Sequence, residues 1–148
     1  MRVPLKNQMA TAPFEILSVD FQGPFTTSDS GNKHILVWTD HFTKWCEMEP
    51  TKDQLTTTVV KTYISRIFCR FGVSKILISD RAKNFMSDVV RQINKLLFVD
   101  HHFTTSYHPQ CNGQVEIYNK VIAGCISHVV NKWHTDWDTW VPFVQLAH

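Results

Sequence analysis

The stretch that most constrains this chain is a short apolar run, Ile76-Leu77-Ile78, closed by Ser79-Asp80 and flanked by two segments of helical spacing. Such a run is too short for a helix and reads as a strand buried on both faces. Before it, Val60, Ile64, Ile67, Phe68 and Phe71 recur at helical intervals, with Thr56, Thr57 and Thr58 as cap candidates and Gly72 as a stop. After it, the spacing predicts a helix over 87–98 and a brief strand over 102–104. Earlier in the chain, residues 14–20, 34–39 and 44–48 read as strands. The first is broken by Gly23-Pro24 and the third stops before Pro50. A loop over 107–113 leads into a long helix over 114–132, and a last amphipathic segment covers 137–147. This order predicts an α/β fold with a mixed five-stranded sheet flanked by helices.

A length of 148 residues suits one domain with a real core. Apolar residues make up 43% and charged residues 19%, which excludes a disordered chain and a membrane protein. The net charge of +2 is mild, so any contact with nucleic acid must come from local basic groups rather than a general field. Cys46, Cys69, Cys111 and Cys125 are widely spaced without a CxxC pair, as expected of thiols in a reducing compartment. No signal-peptide core or membrane-length run is present, so the chain is expected to be soluble and intracellular.

Three carboxylates stand at the ends or starts of these elements. Asp20 ends the first strand, Asp80 ends the fourth, and Glu116 opens the long helix on the face opposite its apolar stripe. If the first and fourth strands are parallel neighbours, Asp20 and Asp80 emerge at one sheet edge, where open α/β sheets build their sites. An all-oxygen donor set suits Mg²⁺ or Mn²⁺, and two such ions ~3.5–4 Å apart serve phosphodiester chemistry. Each residue also has a structural role available: a turn for Asp20, an N-cap for Asp80, a helix N-terminal charge for Glu116. Spacing alone carries a high false-positive risk.

The local contexts decide between these readings. Asp20-Phe21-Gln22-Gly23-Pro24-Phe25, Trp38-Thr39-Asp40-His41-Phe42-Thr43-Lys44-Trp45, Phe71-Gly72-Val73, Ser79-Asp80-Arg81-Ala82-Lys83-Asn84-Phe85 and Tyr107-His108-Pro109-Gln110-Cys111-Asn112-Gly113-Gln114-Val115-Glu116 follow one another in order. Together with Asn119 they resemble the integrase catalytic core, with the nearest likeness to cores of gypsy-type LTR retrotransposons. The resemblance covers residues 13–148 and leaves 1–12 as a polar tail or linker. It implies a ribonuclease H-like fold, with Asp20, Asp80 and Glu116 as a catalytic DDE triad holding two Mg²⁺ or Mn²⁺ ions. It also implies cleavage near the ends of element DNA, then attack of the freed 3′-hydroxyl on double-stranded target DNA. A homo-oligomer working in the nucleus, without a membrane, is part of the same expectation.

Three positions depart from the family pattern. Ala82 stands where a glycine is usual, and would be strained by about 1 kcal/mol if that backbone needs a positive φ. Ile117-Tyr118-Asn119-Lys120 stands where Arg-x-Asn-Arg is usual, which thins the phosphate-binding groups. Gly124 lies inside the long helix, at a cost of about 1 kcal/mol relative to Ala. The core is expected to be cut short at its C-terminal end. The family's preceding zinc-binding module and following basic domain are expected to be missing, which would make full integration poor.

His108, Asn112, Gln114, Asn119 and Lys120 border the expected site and are candidates for DNA contact. His101 and His102 point to opposite faces of a strand and make no metal site. Trp133, Trp137 and Trp140 form a helical stripe suited to core packing or an interface. Lys83 and Lys132 read as surface charges. Two other readings stay open: a decayed or domesticated core that binds DNA or protein without catalysis, and a nuclease acting on RNA–DNA hybrids.

Overall fold

The structure, a computed structural model, describes residues 9–104, 124, 127 and 134–147. Its centre is a five-stranded sheet in the order β3-β2-β1-β4-β5. β1 (Ile16–Gln22), β2 (His34–Asp40) and β3 (Cys46–Thr51) form an antiparallel meander, and β4 (Ile76–Ser79) and β5 (Asp100–Phe103) add in parallel beyond β1. The mixed sheet expected from the order of elements is therefore present.

Alternation along the strands divides the core in two. Leu17 and Val19 of β1, Leu36 and Trp38 of β2 and Leu77 of β4 pack with Val59, Tyr63, Ile67 and Val90 from the helices on one face. On the other face, Ile35, Val37, Cys46 and Met48 pack with Trp137, Val141 and Val144. Trp137 is thus a core residue, with its indole N–H donated to the Thr26 carbonyl at 2.6 Å. It belongs to α4 (Trp137–Ala147), which is further tied down by Asp138 accepting from Ser28 and Asn32. Of the aromatic stripe, Trp137 packs in the core, while Trp140 is half-buried with its ring against exposed Phe143.

Several boundaries differ from the sequence expectation. β3 runs through Pro50 instead of stopping before it. It is an edge strand, where a missing N–H need cost no ladder bond. α1 (Thr56–Thr62) has Leu55 at its N-cap, and Asp53 supplies the local acceptor, taking the Leu55 N–H and the Thr58 hydroxyl. The helix then widens into a π-helical segment (Tyr63–Phe68) before the short α2 (Cys69–Phe71) and Gly72 at φ +84°. Its buried line is Val59, Tyr63 and Ile67, while Ile64 is exposed. The wider turn rotates the apolar face away from the ideal helical count.

α3 (Asp88–Leu96) starts on Ser87, whose hydroxyl accepts from the Val90 N–H, and stops short of the expected Phe98, which is exposed at φ +57°. Of the helix expected over 114–132, only Gly124 and Ser127 fall within the described residues, and both are helical. Glu116, His108, Asn112, Gln114, Asn119 and Lys120 lie outside them, as do Trp133, Lys132, Cys111 and Cys125.

Two buried carboxylates hold the meander in place. Asp40 accepts from the N–H groups of Phe14, Phe42 and Thr43 and from the Thr43 hydroxyl, which closes the β2–β3 turn and fixes the entry to β1. Glu47 accepts from the Trp45 indole at 2.8 Å and from Arg70 at 2.8 Å, which ties β3 to the helical layer. Asp40→Ala leaves main-chain donors without partners. It is expected to lower unfolding stability by about 3 kcal/mol, read from urea denaturation midpoints.

Candidate metal site

The parallel pairing of β1 with β4 sets Ile16 against Ile76, Leu17 against Leu77 and Ser18 against Ile78. Two further steps along both chains bring Asp20 level with Asp80, about one strand spacing (~4.8 Å) apart where register is kept. Period-two alternation places Asp20 with Ile16 and Ser18, on the sheet face opposite Leu17 and Val19. β1 continues to Gln22, so Asp20 lies inside the strand, two residues before its end, rather than closing it. It is half-buried, whereas Asp80, just past β4, is exposed.

The segment after β4 is built to present Asp80. Its Oδ1 accepts from the Ala82 N–H at 2.9 Å, a local turn in which the carboxylate folds back on its own chain. The Ala82 carbonyl accepts from the N–H groups of Phe85 and Met86. Asn84 donates from Nδ2 to the Gln54 carbonyl at 2.8 Å, joining this loop to the start of α1. Phe85 is buried and stacks on Phe21 at 5.8 Å between ring centroids. Asp80, Ala82, Asn84 and Phe85 thus each have a structural task, and the tie from Asn84 to Gln54 had no signal in the spacing. Arg81 and Lys83 are exposed, and the Arg81 guanidinium lies 5.6 Å from the Phe103 ring centroid.

Ala82 is not among the described non-glycine residues with positive φ, which are Phe14, Lys44, Phe98 and His134. The strain expected if this backbone needed glycine does not arise. Gly23, by contrast, sits at φ +125°, and a Cβ there would meet the Lys33 carbonyl oxygen at 2.8 Å. It belongs to the Gly23-Pro24 turn, a cis peptide, that carries the chain away from Asp20.

Behind Asp80, on the opposite sheet face, lies a polar line that sequence reasoning missed. The Ser79 hydroxyl lies 2.9 Å from the Asp80 carbonyl and 2.7 Å from His101 Nε2, while His101 Nδ1 lies 3.2 Å from Asn94 Nδ2. Burial, reinforced by His102 alongside, pushes the His101 imidazole down to about 4. His102 pairs instead with Asp100 at 2.9 Å. The two histidines are engaged separately, as their opposite facing suggested.

The donors present fit a hard divalent cation. Asp20 and Asp80 supply hard carboxylate oxygens, which suit Mg²⁺ or Mn²⁺ over zinc. Among the described residues no group of three His, Cys, Asp or Glu forms a complete metal cluster. The expected third member, Glu116, is outside them.

Residues 10–109 match the sequence profile of the integrase core domain. The chain is 32% identical over 146 residues to the Gag-Pol polyprotein of koala retrovirus, covering 98% of this chain and 9% of that protein. It is 35% identical over 113 residues to the Pol polyprotein of radiation murine leukemia virus (strain Kaplan), covering 76% of this chain and 19% of that one. The chain therefore spans only a small part of these relatives. In structure it is similar to the HTLV-2 integrase catalytic core domain in complex with magnesium (trimeric form), with TM-score 0.73, 14% identity and coverage of 93% and 86% of the two chains. It is also similar to a chain of the simian T-cell lymphotropic virus intasome in complex with PP2A regulatory subunit B56 gamma, with TM-score 0.70, 16% identity and coverage of 82% and 42%.

Two measurements test this description. Ala82→Gly is expected to lower stability by about 0.4–1 kcal/mol through the freer unfolded chain, because no backbone strain is there to relieve. A gain in the urea midpoint would contradict the geometry. For His101, the folded value lies below the ordinary 6.5, so the unfolded chain binds the proton more readily between pH 6.5 and about 4. Its contribution to stability is present above pH 6.5 and is lost as pH falls through that window. Comparing His101→Gln with the parent chain at pH 7 and pH 5 should show the smaller acid loss in the variant.

Proposed function

This chain belongs to the integrase core domain family, and we propose that it is the catalytic core of a metal-dependent polynucleotidyl transferase that inserts retroelement DNA into target DNA. The observation that carries the reading is the parallel β1–β4 pairing, which extends to Ser18 and Ile78 and whose register, carried two residues further, would set Asp20 level with Asp80. The gypsy-type likeness of the motifs, a nuclear site of action and a homo-oligomer are parts of the same proposal. The decayed-core reading is less favoured, since the backbone at Ala82 is relaxed.

In this proposal Asp20, Asp80 and Glu116 would together hold two Mg²⁺ or Mn²⁺ ions. When bound, such ions stabilise the charge that develops as a phosphodiester is attacked. The chain's own residues hold and orient. The Ala82 N–H restrains one Asp80 oxygen, Phe85 and Asn84 brace the loop, and the pairing of β1 with β2 and β4 keeps Asp20 in register. His108, Asn112, Gln114, Asn119 and Lys120 are proposed to grip the DNA backbone. In the first step a water oxygen forms a bond to phosphorus and a 3′-hydroxyl leaves. In the second, that hydroxyl attacks a target phosphodiester and another 3′-oxygen leaves. Each step exchanges one P–O bond for another, so no covalent enzyme intermediate is needed.

Strand transfer, or its reversal on branched DNA, is expected to require Mg²⁺ or Mn²⁺. Asp80→Asn should lower its rate by on the order of 10²–10³-fold, as for loss of one electrostatic stabiliser. Equal rates in the parent chain and the variant would remove Asp80 from the mechanism.

A further inference from the structure

The polar line behind Asp80 has a direction that follows from counting protons. A serine hydroxyl carries one hydrogen, and the Ser79 hydroxyl donates it to the Asp80 carbonyl at 2.9 Å. Toward His101 Nε2, 2.7 Å away, the Ser79 oxygen must therefore accept, so the imidazole carries its proton on Nε2. Nδ1 is then bare and accepts from the Asn94 Nδ2 amide at 3.2 Å. The Asn94 Oδ1 in turn accepts from the Tyr63 hydroxyl at 3.0 Å. Each link has a donor and an acceptor, and every bond runs one way, from Tyr63 through Asn94 and His101 to Ser79 and the Asp80 peptide.

The line is set in rigid surroundings. Tyr63, Ser79 and Asn94 are buried, and each comes from a different element: the π-helical segment, β4 and α3. The Ser79 carbonyl is held as well, accepting from the Thr104 N–H at 2.8 Å. Asp80 is consequently held at two points, its carbonyl by Ser79 and its Oδ1 by Ala82. Among the described residues no hydrogen bond occupies its Oδ2. A half-satisfied network would be costly in this interior, whereas a directed one rigidifies what it touches.

We propose that Tyr63, Asn94, His101 and Ser79 form a positioning relay for Asp80, with His101 as a neutral Nε2–H tautomer whose orientation fixes the peptide that carries the metal-binding carboxylate. This rests on the metal reading of Asp80. The relay touches neither metal nor DNA, so its members are positioning residues.

The test uses the 148-residue chain in two measurements. A long-range ¹H–¹⁵N correlation spectrum at neutral pH should show His101 protonated on Nε2, and protonation on Nδ1 instead would overturn the relay. Mn²⁺ binding, followed by electron paramagnetic resonance, is then compared across the parent, Asp80→Asn, Ser79→Ala, His101→Leu and His101→Gln. Asp80→Asn should lose the tightest binding. Ser79→Ala and His101→Leu should weaken it about tenfold, the lower range for loss of a group that orients a metal ligand. His101→Gln should restore binding close to the parent, because its amide can donate to Ser79 and accept from Asn94. Parent-like affinity in Ser79→Ala and His101→Leu, or His101→Gln as weak as His101→Leu, would overturn the relay while leaving the metal reading intact. Absence of Asp80-dependent binding in the parent would overturn both. Should His101→Leu fail to fold, Ser79→Ala and the tautomer decide.

Discussion

A parallel pair of strands cannot be joined by a tight turn, so the chain between β1 and β4 must travel away and return. Here it does so through β2, β3 and the α1 layer, and comes back beside β1 with Ser18 against Ile78, a register that would set Asp80 level with Asp20 if continued. Most of the site depends on that return. The antiparallel meander supplies width, the helical layer covers one face, and α4 covers part of the other. A slip of one residue in β4 would move Ile76 and Ile78 to the opposite face and separate the two carboxylates.

The register is protected by buried polar groups as much as by apolar packing. Asp40 closes the β2–β3 turn and ties Phe14 at the start of β1, while Glu47 joins the edge strand to the helical layer through Arg70. Ser79 and His101 do the corresponding work at the other side of the sheet. Apolar burial drives these layers together without direction. The hydrogen-bonded carboxylates, imidazole and hydroxyl select one alignment among those that burial alone would allow.

Much of this was legible in the residues. The continuous run Ile76-Leu77-Ile78 announced a strand, although Leu77 is buried on one face while Ile76 and Ile78 on the other are only half-buried. The expectation that Asp20 and Asp80 share an edge followed once the first and fourth strands were taken as neighbours. Other features depend on tertiary context that no local pattern carries. Pro50 lies within a strand because that strand is at the edge, and the π-helical turn at Tyr63–Phe68 shifts the buried line onto Val59, Tyr63 and Ile67. The bond from His101 to Ser79 joins residues 22 apart in sequence, on strands that meet only after folding. Ala82 illustrates the opposite error: a departure from a family pattern implied strain that the backbone does not contain.

The central claim is that Asp20 and Asp80 share a divalent cation at the β1–β4 edge. Anomalous diffraction from crystals of this chain soaked in Mn²⁺ tests it most directly. The account predicts a peak within bonding distance of carboxylate oxygens from both residues, about 2.0–2.3 Å for an ion of this kind. A peak bound by neither aspartate, or one that persists unchanged in the Asp20→Asn chain, would contradict it.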